Sequence, residues 1–346
     1  MAEPRKRRST GRATLADVAK LAGVGSMTVS RALRTPEQVS DKLREKIQQA
    51  VDELGYIPNK AAGALASGQS DTIAMLIPSM TESACGQFTG PFQSHLAKRN
   101  YQLQISYTGG VLEQEEKILT NILASSPAAI VLFGSERSAK GRKLLEACNI
   151  PVLEVNEITP LAIDLNVGVD HYQAAKVLTQ QLIAQGFKNI GFIGGHGDQA
   201  ILNKQLRGWQ AAMLEGYLTP DHFLTSHGQA SIELGAEGLA KLLLRERELD
   251  ALICTHENIA MGALFECQRR VIKVPTSMAI TCLDGADYCQ QSYPGITAIH
   301  VDYPDMAIKA SELLVEKIED SDTPAGSAGS VNIGFQLLSR ASSYTG

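Results

Sequence analysis

Thr14-Leu-Ala-Asp-Val-Ala-Lys-Leu-Ala-Gly-Val-Gly-Ser-Met-Thr-Val-Ser-Arg31 is the stretch on which the fold turns. Leu15, Val18, Ala19, Leu21 and Ala22 recur at helical spacing, Gly23, Val24 and Gly25 interrupt, and Met27, Val29, Ala32 and Leu33 resume the pattern. The spacing predicts a helix, a tight turn and a second helix. Asp17 suits the positive end of the first helix, and Gly23 supplies the left-handed backbone that the turn needs. The second helix presents Ser26, Met27, Thr28, Ser30 and Arg31, short polar groups and one guanidinium that suit base edges and phosphates in a major groove better than a core. A third helix is predicted after Ser40 as N-cap, with Val39, Leu43, Ile47, Ala50, Val51 and Leu54 as its stripe and Gly55 as its end.

Charge separates this segment from the rest. The whole chain of 346 residues carries a net charge of -5, which argues against a uniformly basic nucleic-acid coat. Yet residues 1–70 hold 12 Lys and Arg against 7 Asp and Glu, leaving 20 against 30 for the remainder. A basic front end on an acidic body is the footprint of a small DNA-facing module joined to something repelled by phosphate. Arg5, Lys6, Arg7, Arg8 and Arg12 make residues 1–13 a basic tail, expected to be disordered. The six cysteines include no C-x-x-C pair, and no run of about 18 apolar residues occurs, so neither a disulfide framework nor a membrane span is expected and a cytoplasmic location is.

Beyond Asp71, short apolar runs alternate with amphipathic stretches. Ile73 to Ile77, Leu103 to Tyr107, Ile130 to Phe133, Val152 to Val155, Ile190 to Ile193, Ala251 to Cys254, Met278 to Leu283 and Thr297 to Val301 read as strands; Glu113 to Leu123, Ala174 to Gln185, Leu202 to Leu214 and Ile259 to Arg270 read as helices. The alternation predicts a parallel α/β body long enough for two lobes. Ligands in such folds bind beyond the carboxyl ends of the strands. The segments expected there are Pro78 to Glu82, Phe133 to Arg137, Glu154 to Glu157, Gly194 to Asp198, Thr255 to Asn258 and Asp284 to Asp287, rich in the hydroxyls, amides and carboxylates that bind polyols. Gly194-Gly-His-Gly197 lacks both the Walker and the GxGxxG pattern. No metal cluster, nucleophile elbow or cofactor motif is present in the sequence, so no cofactor is expected and an enzyme is not. Trp209, Cys254, Cys267 and Cys282 are expected in the core.

The headpiece run, with Val39-Ser40 and Leu54-Gly-Tyr-Ile-Pro-Asn59, resembles the signature of the LacI/GalR family of bacterial transcription regulators. Met27-Thr-Val-Ser-Arg31 with Thr35-Pro-Glu-Gln-Val-Ser40 resembles the gluconate and sugar-acid repressors within it. The resemblance implies an N-terminal all-α helix-turn-helix headpiece and an α/β body of two doubly wound lobes, periplasmic-binding-protein-like, with an effector between them. It implies that Ser26, Met27 and Thr28 reach bases, that Ser30, Arg31, Tyr56 and Asn59 touch phosphates, and that Thr14 and Leu15 belong to the same surface. It further implies a hinge helix that orders on DNA, with Leu65 as a minor-groove wedge and Ala62 beside it. Gly25 departs from the family's usual Ser or Thr N-cap, and Gly63 from an often basic position.

In the body, Thr255 to Ala263 and Ile280 to Asp284 match family motifs, and the implied effector residues are Ser79, Glu82, Cys85, His256 and Asp284. Gln205 takes the slot of the usual effector-binding arginine, leaving Lys204 or Arg207 as the candidate cation. The expected divisions are a tail at 1–13, the headpiece at 14–58, a hinge at 59–71 and a body at 72–346. Within the body, one lobe takes about 72–168 and 301–328 and the other about 169–300 and 329–346. The resemblance implies a homodimer on double-stranded operator DNA, released by a small-molecule effector, a sugar acid such as gluconate. A co-repressor design, a dual regulator, a neutral-sugar effector and a solute-binding protein are the alternatives.

Overall fold

The computed structural model describes residues 13–58, 70–80, 82–195, 198–226, 228, 230–245, 248–285, 287–320 and 329–344. The basic run from Arg5 to Arg12 and the hinge positions Asn59, Ala62, Gly63 and Leu65 lie outside them. The chain divides into two units, Met1–Ser70 and Asp71–Gly346.

The first unit is helical. Helices Leu15–Ala22, Ser26–Arg34 and Asp41–Leu54, with a 3-10 turn at Pro36–Gln38, enclose a core of Val18, Ala19, Ala22, Val29, Ala32, Ile47, Ala50 and Val51. Leu21, expected on the apolar face, is exposed. Gly23 adopts φ 61° and donates its N–H to the Ala19 and Lys20 carbonyls, ending the first helix within one residue. Gly55 ends the third helix likewise at φ 58°. Ser40 occupies the N-cap of that helix, but its side chain makes no capping hydrogen bond.

The second unit is two parallel sheets. β1 (Thr72–Ile77), β2 (Gln102–Tyr107), β3 (Ala129–Phe133), β4 (Val152–Glu157), β5 (Leu165–Val169), β6 (Ile190–Gly195), β7 (Phe223–Ser226), β8 (Ala251–Cys254), β9 (Ala279–Cys282), β10 (Thr297–His300), β11 (Ser330–Asn332) and β12 (Gln336–Leu338) follow in chain order. The first lobe orders them β11-β5-β4-β3-β1-β2, the second β12-β10-β9-β8-β6-β7. Every pairing is parallel except β10 with β12. The chain passes between the sheets after β5, after β10 and after β11.

The continuous apolar strands explain the double winding, since a strand buried on both faces needs no polar alternation. In β1, Ile73, Met75 and Ile77 join the cluster of Phe88, Phe92 and Leu96 from helix Ser83–Ala97, while Ala74 and Leu76 turn to Leu119 and Ile122 of helix Leu112–Ala124. In β6, Phe192 packs with Trp209 of helix Gln199–Glu215, and Ile193 faces Leu239 and Ile259 of the Ile232–Arg245 and Glu257–Arg269 helices. Each such large side chain contributes roughly 1.5–3 kcal/mol by burial.

Two expectations change. Glu154 to Glu157 is the end of β4 rather than a loop, because Glu154–Asn166 and Glu157–Val169 pair within the sheet. The segment after 329 does not belong wholly to the second lobe: Val331 pairs with Val167, so β11 edges the first sheet before the chain returns as β12.

Candidate nucleic-acid interface and ligand site

In the headpiece, Thr14 and Asp17 form a capping box. The Asp17 amide donates to Thr14 Oγ1 at 3.3 Å, and Asp17 Oδ2 accepts from the Thr14 amide at 2.9 Å and its hydroxyl at 2.7 Å. The Thr14 hydroxyl bond, first, and its backbone bond hold the Asp17 carboxyl below its ordinary value. Thr14 therefore organises the first helix through its hydroxyl, and Leu15 packs partly against the core.

Helix Ser26–Arg34 buries Val29 and Ala32 and leaves Ser26, Met27, Arg31 and Arg34 exposed, with Thr28 and Ser30 half-buried. Met27 is 79% exposed; a thioether with nothing to pack on, one turn before Arg31, makes an outward face of one apolar and several hydrogen-bonding groups. Gly25 caps this helix without a side-chain bond, so its first amides remain available to an anion. Arg31 and Arg34 fall in its last turn, where the dipole favours cations. Tyr56 packs against the headpiece core, half-buried.

In the body, the candidate ligand residues divide. Ser79, Glu82 and Cys85 follow β1, and Asp284 follows β9. Ser79 is fully buried and its Oγ accepts from the Glu82 amide at 3.2 Å. Burial, the Glu82 charge and the Asp284 charge push the Cys85 thiol far above its ordinary value, against a hydrogen bond at Ser79 that lowers it. Tyr303 donates its hydroxyl to Asp284 Oδ1 at 3.2 Å. Burial, then Asp284, Cys85 and Glu82, also raise the Tyr303 phenol well above its ordinary value. Ser79, Glu82, Cys85, Asp284 and Tyr303 are thus one cluster drawn from both lobes. Tyr303 was missed in the sequence although it stands two residues beyond the Val301 end of the β10 run, where the rule of carboxyl ends points.

His256 is buried at the N-cap of helix Glu257–Arg269, and its Nδ1 accepts from the Asn258 amide at 3.2 Å, which leaves the proton of a neutral ring on Nε2. Hydrogen bonding of Leu283 to the Cys254 carbonyl at 2.8 Å aligns the ends of β8 and β9, so His256 and Asp284 leave the same sheet edge.

The cation candidates behave differently from expectation. Lys204 pairs with Glu157 and donates to the Ile158 carbonyl at 3.1 Å, joining the helix of one lobe to the strand of the other. Burial lifts the Glu157 carboxyl to about 7, opposed by the Lys204 hydrogen bond and charge. Arg207 is exposed. It stands two positions beyond buried Gln205, about 200° around the helix from it. Gln205 itself is buried, its Oε1 without a hydrogen-bond partner among the described residues.

A second interlobe contact lies beside this one. Asp198 Oδ1 caps its own helix, accepting from Ala200 at 2.9 Å and Ile201 at 3.2 Å. Its Oδ2 accepts from the Ser135 and Glu136 amides after β3 at 2.6 and 3.2 Å. Glu136 Oε2 in turn accepts from the Gln199 amide at 2.8 Å. Gly134, at φ 99°, permits the approach: a Cβ there would overlap Asp198 Oδ2. Arg137, which also follows β3, pairs with Glu115 at 3.6 Å. Gly194 and Gly195 end β6, and the next two residues of the glycine-rich segment lie outside the described residues. Among the described residues no helix is long and apolar enough to cross a membrane and no group of acidic, His and Cys side chains could hold a metal.

Comparison with known proteins places both units. Residues 14–59 match the model for bacterial regulatory proteins of the lacI family, and residues 179–343 match that for a periplasmic binding protein-like domain. The chain is 34% identical over 327 residues to the HTH-type transcriptional regulator GntR of Escherichia coli (strain K12), spanning 94% of this chain and 97% of that protein. It is 29% identical over 326 residues to the regulator IdnR of the same strain, with the same coverage of 94% and 97%. Among solved structures, a PurR family transcriptional regulator from Vibrio parahaemolyticus is 51% identical with a TM-score of 0.73, covering 80% of this chain and 100% of that one. The lac repressor dimer bound to operator and an anti-inducer is similar in fold, with a TM-score of 0.83 at 21% identity over 96% of this chain and 100% of that one.

Proposed function

The chain belongs to the LacI family of bacterial regulatory proteins and is a transcriptional repressor, not an enzyme, and from that premise we propose that it represses sugar-acid catabolism as a cytoplasmic homodimer on a near-palindromic operator. The observation that carries this is the outward face of helix Ser26–Arg34, where Ser26, Met27, Thr28, Ser30 and Arg31 stand on a turn set by Gly23 and a core that buries the opposite side. One such face covers a half-site, so a two-fold dimer reads both halves. Tyr56 and Asn59 add phosphate contacts, and Thr14 and Leu15 flank the groove. Ala62 and Leu65 act from the hinge, where the small residues around Gly63 make an isolated helix unstable until DNA and a partner order it.

Effector enters between the lobes of the body, near Ser79, Glu82, Cys85, His256 and Asp284, and shifts the population toward a lobe arrangement that separates the hinges. The sugar-acid class rests on the headpiece resemblance. A neutral-sugar effector is favoured by one specific observation: Lys204 is paired with Glu157 and Arg207 is exposed, while the Glu82 carboxylate acts with Asp284 on Cys85 and Tyr303.

A thermal-shift panel of gluconate, keto-gluconates, idonate, hexuronates and neutral sugars, followed by retardation of the chain's own promoter DNA with any hit, tests the proposal. A sugar acid that stabilises the protein and releases the DNA is the expected result. A hit that tightens DNA binding selects the co-repressor design, and sugar binding without any DNA retardation overturns the repressor assignment in favour of a solute-binding role.

A further inference from the structure

Helix Gln199–Glu215 of the second lobe grips the first lobe at two places. About a turn and a half into the helix, Lys204 pairs with Glu157 and donates to the Ile158 carbonyl. At the N-terminus the grip runs in both directions. Asp198 Oδ2 accepts from the Ser135 and Glu136 amides at 2.6 and 3.2 Å, and Glu136 Oε2 accepts from the Gln199 amide at 2.8 Å. Each lobe thus supplies a carboxylate to the backbone of the other. Three features mark this clasp as built. Asp198 is aimed in advance, since its Oδ1 is held by the Ala200 and Ile201 amides, bonds that lie wholly within the second lobe. Gly134, at φ 99°, clears the approach, because a Cβ there would overlap Asp198 Oδ2. The turn that presents the two amides is braced from within the first lobe, where the Arg137 guanidinium donates to the Gly134 carbonyl at 2.9 Å and to the Glu136 carbonyl. The groups joined across the lobes are amides and carboxylates that water satisfies when the lobes part, so the clasp is reversible.

We propose that the bonds of Asp198 to Ser135 and Glu136, and of Glu136 to Gln199, form a conformational lock. It holds the ligand-free body in the lobe arrangement competent for operator, and an effector releases DNA by selecting the arrangement in which the lock is open. This rests on the reading that the effector weakens DNA binding. The lock fixes the lobe equilibrium before any ligand arrives. A charge-assisted hydrogen bond is worth roughly tenfold or more in such an equilibrium, so the open arrangement is a minor species that a ligand can still populate. Its strength therefore sets two affinities together: strengthening the lock tightens operator binding and weakens effector binding, and weakening it does the reverse.

The test uses the full chain without ligand, as wild type, Asp198→Asn and Glu136→Ala, well below the melting temperature of each. Hydrogen exchange of the Ser135, Glu136 and Gln199 amides reports the lock, and anisotropy titrations report Kd for the chain's own promoter duplex and for unrelated DNA. In wild type the three amides are expected to be protected. In each variant they should exchange about tenfold faster or more, with the operator Kd raised about tenfold and the Kd for unrelated DNA within about twofold of wild type. Faster exchange with an unchanged operator Kd makes the contact structural only; that overturns the lock and leaves the repressor reading standing. Unprotected amides in wild type, or equal losses for operator and unrelated DNA, overturn it in the same way. Faster exchange with a lower operator Kd places the closed lock in the arrangement that does not bind operator, which overturns both the proposal and the reading that effector weakens DNA binding. Failure of wild type to bind its promoter duplex overturns the repressor reading itself, and the lock with it. Should Asp198→Asn not fold, Glu136→Ala, which leaves the helix cap in place, carries the same expectations.

Discussion

Asp198 offers the sharpest energetic test of the body, because one side chain serves two lobes with separate oxygens. Oδ1 accepts the Ala200 and Ile201 amides of its own helix, and Oδ2 accepts the Ser135 and Glu136 amides of the other lobe, from a residue only 4% exposed. Asp198→Asn retains one acceptor oxygen, enough for the cap, and turns an amide NH2 toward two N–H donors. Hydrogen bonds to a charged acceptor contribute about 1.5–3 kcal/mol each; since the two share one oxygen, a combined loss of about 3 kcal/mol is expected. Asp198→Ala removes the cap as well, adding about 1 kcal/mol. For a unit of this size each kcal/mol lowers Tm by roughly 2–4 °C, so Asp198→Asn should melt roughly 6–12 °C below wild type and Asp198→Ala lower still. Circular dichroism melts and urea titrations of the full chain give both numbers. Asp198→Asn within about 0.5 kcal/mol of wild type would refute the interlobe clamp, and equal losses for the two variants would refute the division of labour between the oxygens.

Further expectations concern other elements. Arg31→Ala should weaken binding to all DNA sequences alike and reduce the salt dependence of log Kd by about one phosphate contact, measured by titrations at several salt concentrations. Gly262→Ala should cost about 2–3 kcal/mol by urea unfolding, because its Cβ would overlap the Ile232 carbonyl oxygen and force the Ile232–Arg245 and Glu257–Arg269 helices apart. Glu157 ionises near 4.5 when unfolded and at about 7 when folded. The folded state then holds the extra proton between those values, so this group's contribution to stability is fully present below about pH 4.5 and is lost as pH rises to about 7, by up to about 3 kcal/mol. Glu157→Gln should flatten that fall in melts from pH 4.5 to 8, and an unchanged profile would contradict the buried assignment.

The headpiece was legible because local rules governed it. Helical spacing, Gly23 and Gly55 each act within a few residues, and the structure ends two helices at those glycines. The eight long apolar runs of the body were legible for the same reason. β5, β7, β11 and β12 were not: Leu165–Val169 carries a glycine, Phe223–Ser226 is a half-exposed edge, and β11 and β12 are three residues each, held by partners far away in sequence. The site was harder still. Asp284, Glu82 and Cys85 meet, but the pairing that engages Lys204 involves Glu157, 47 positions away, and Arg207 is exposed, across the helix from buried Gln205. Tyr303 carried a usable signal in its place three residues after a strand, whereas Gln205 marked its own importance only by failing to be an arginine.

The central claim, a repressor whose ligand governs DNA affinity, is tested most directly by titrating effector into the full chain bound to a fluorescent two-fold operator duplex at fixed salt and following anisotropy. A saturable loss of operator binding, with the operator Kd rising at least tenfold while affinity for unrelated DNA changes little, is the predicted result. Effector binding confirmed by calorimetry on the same sample, with the operator Kd unchanged, would contradict it.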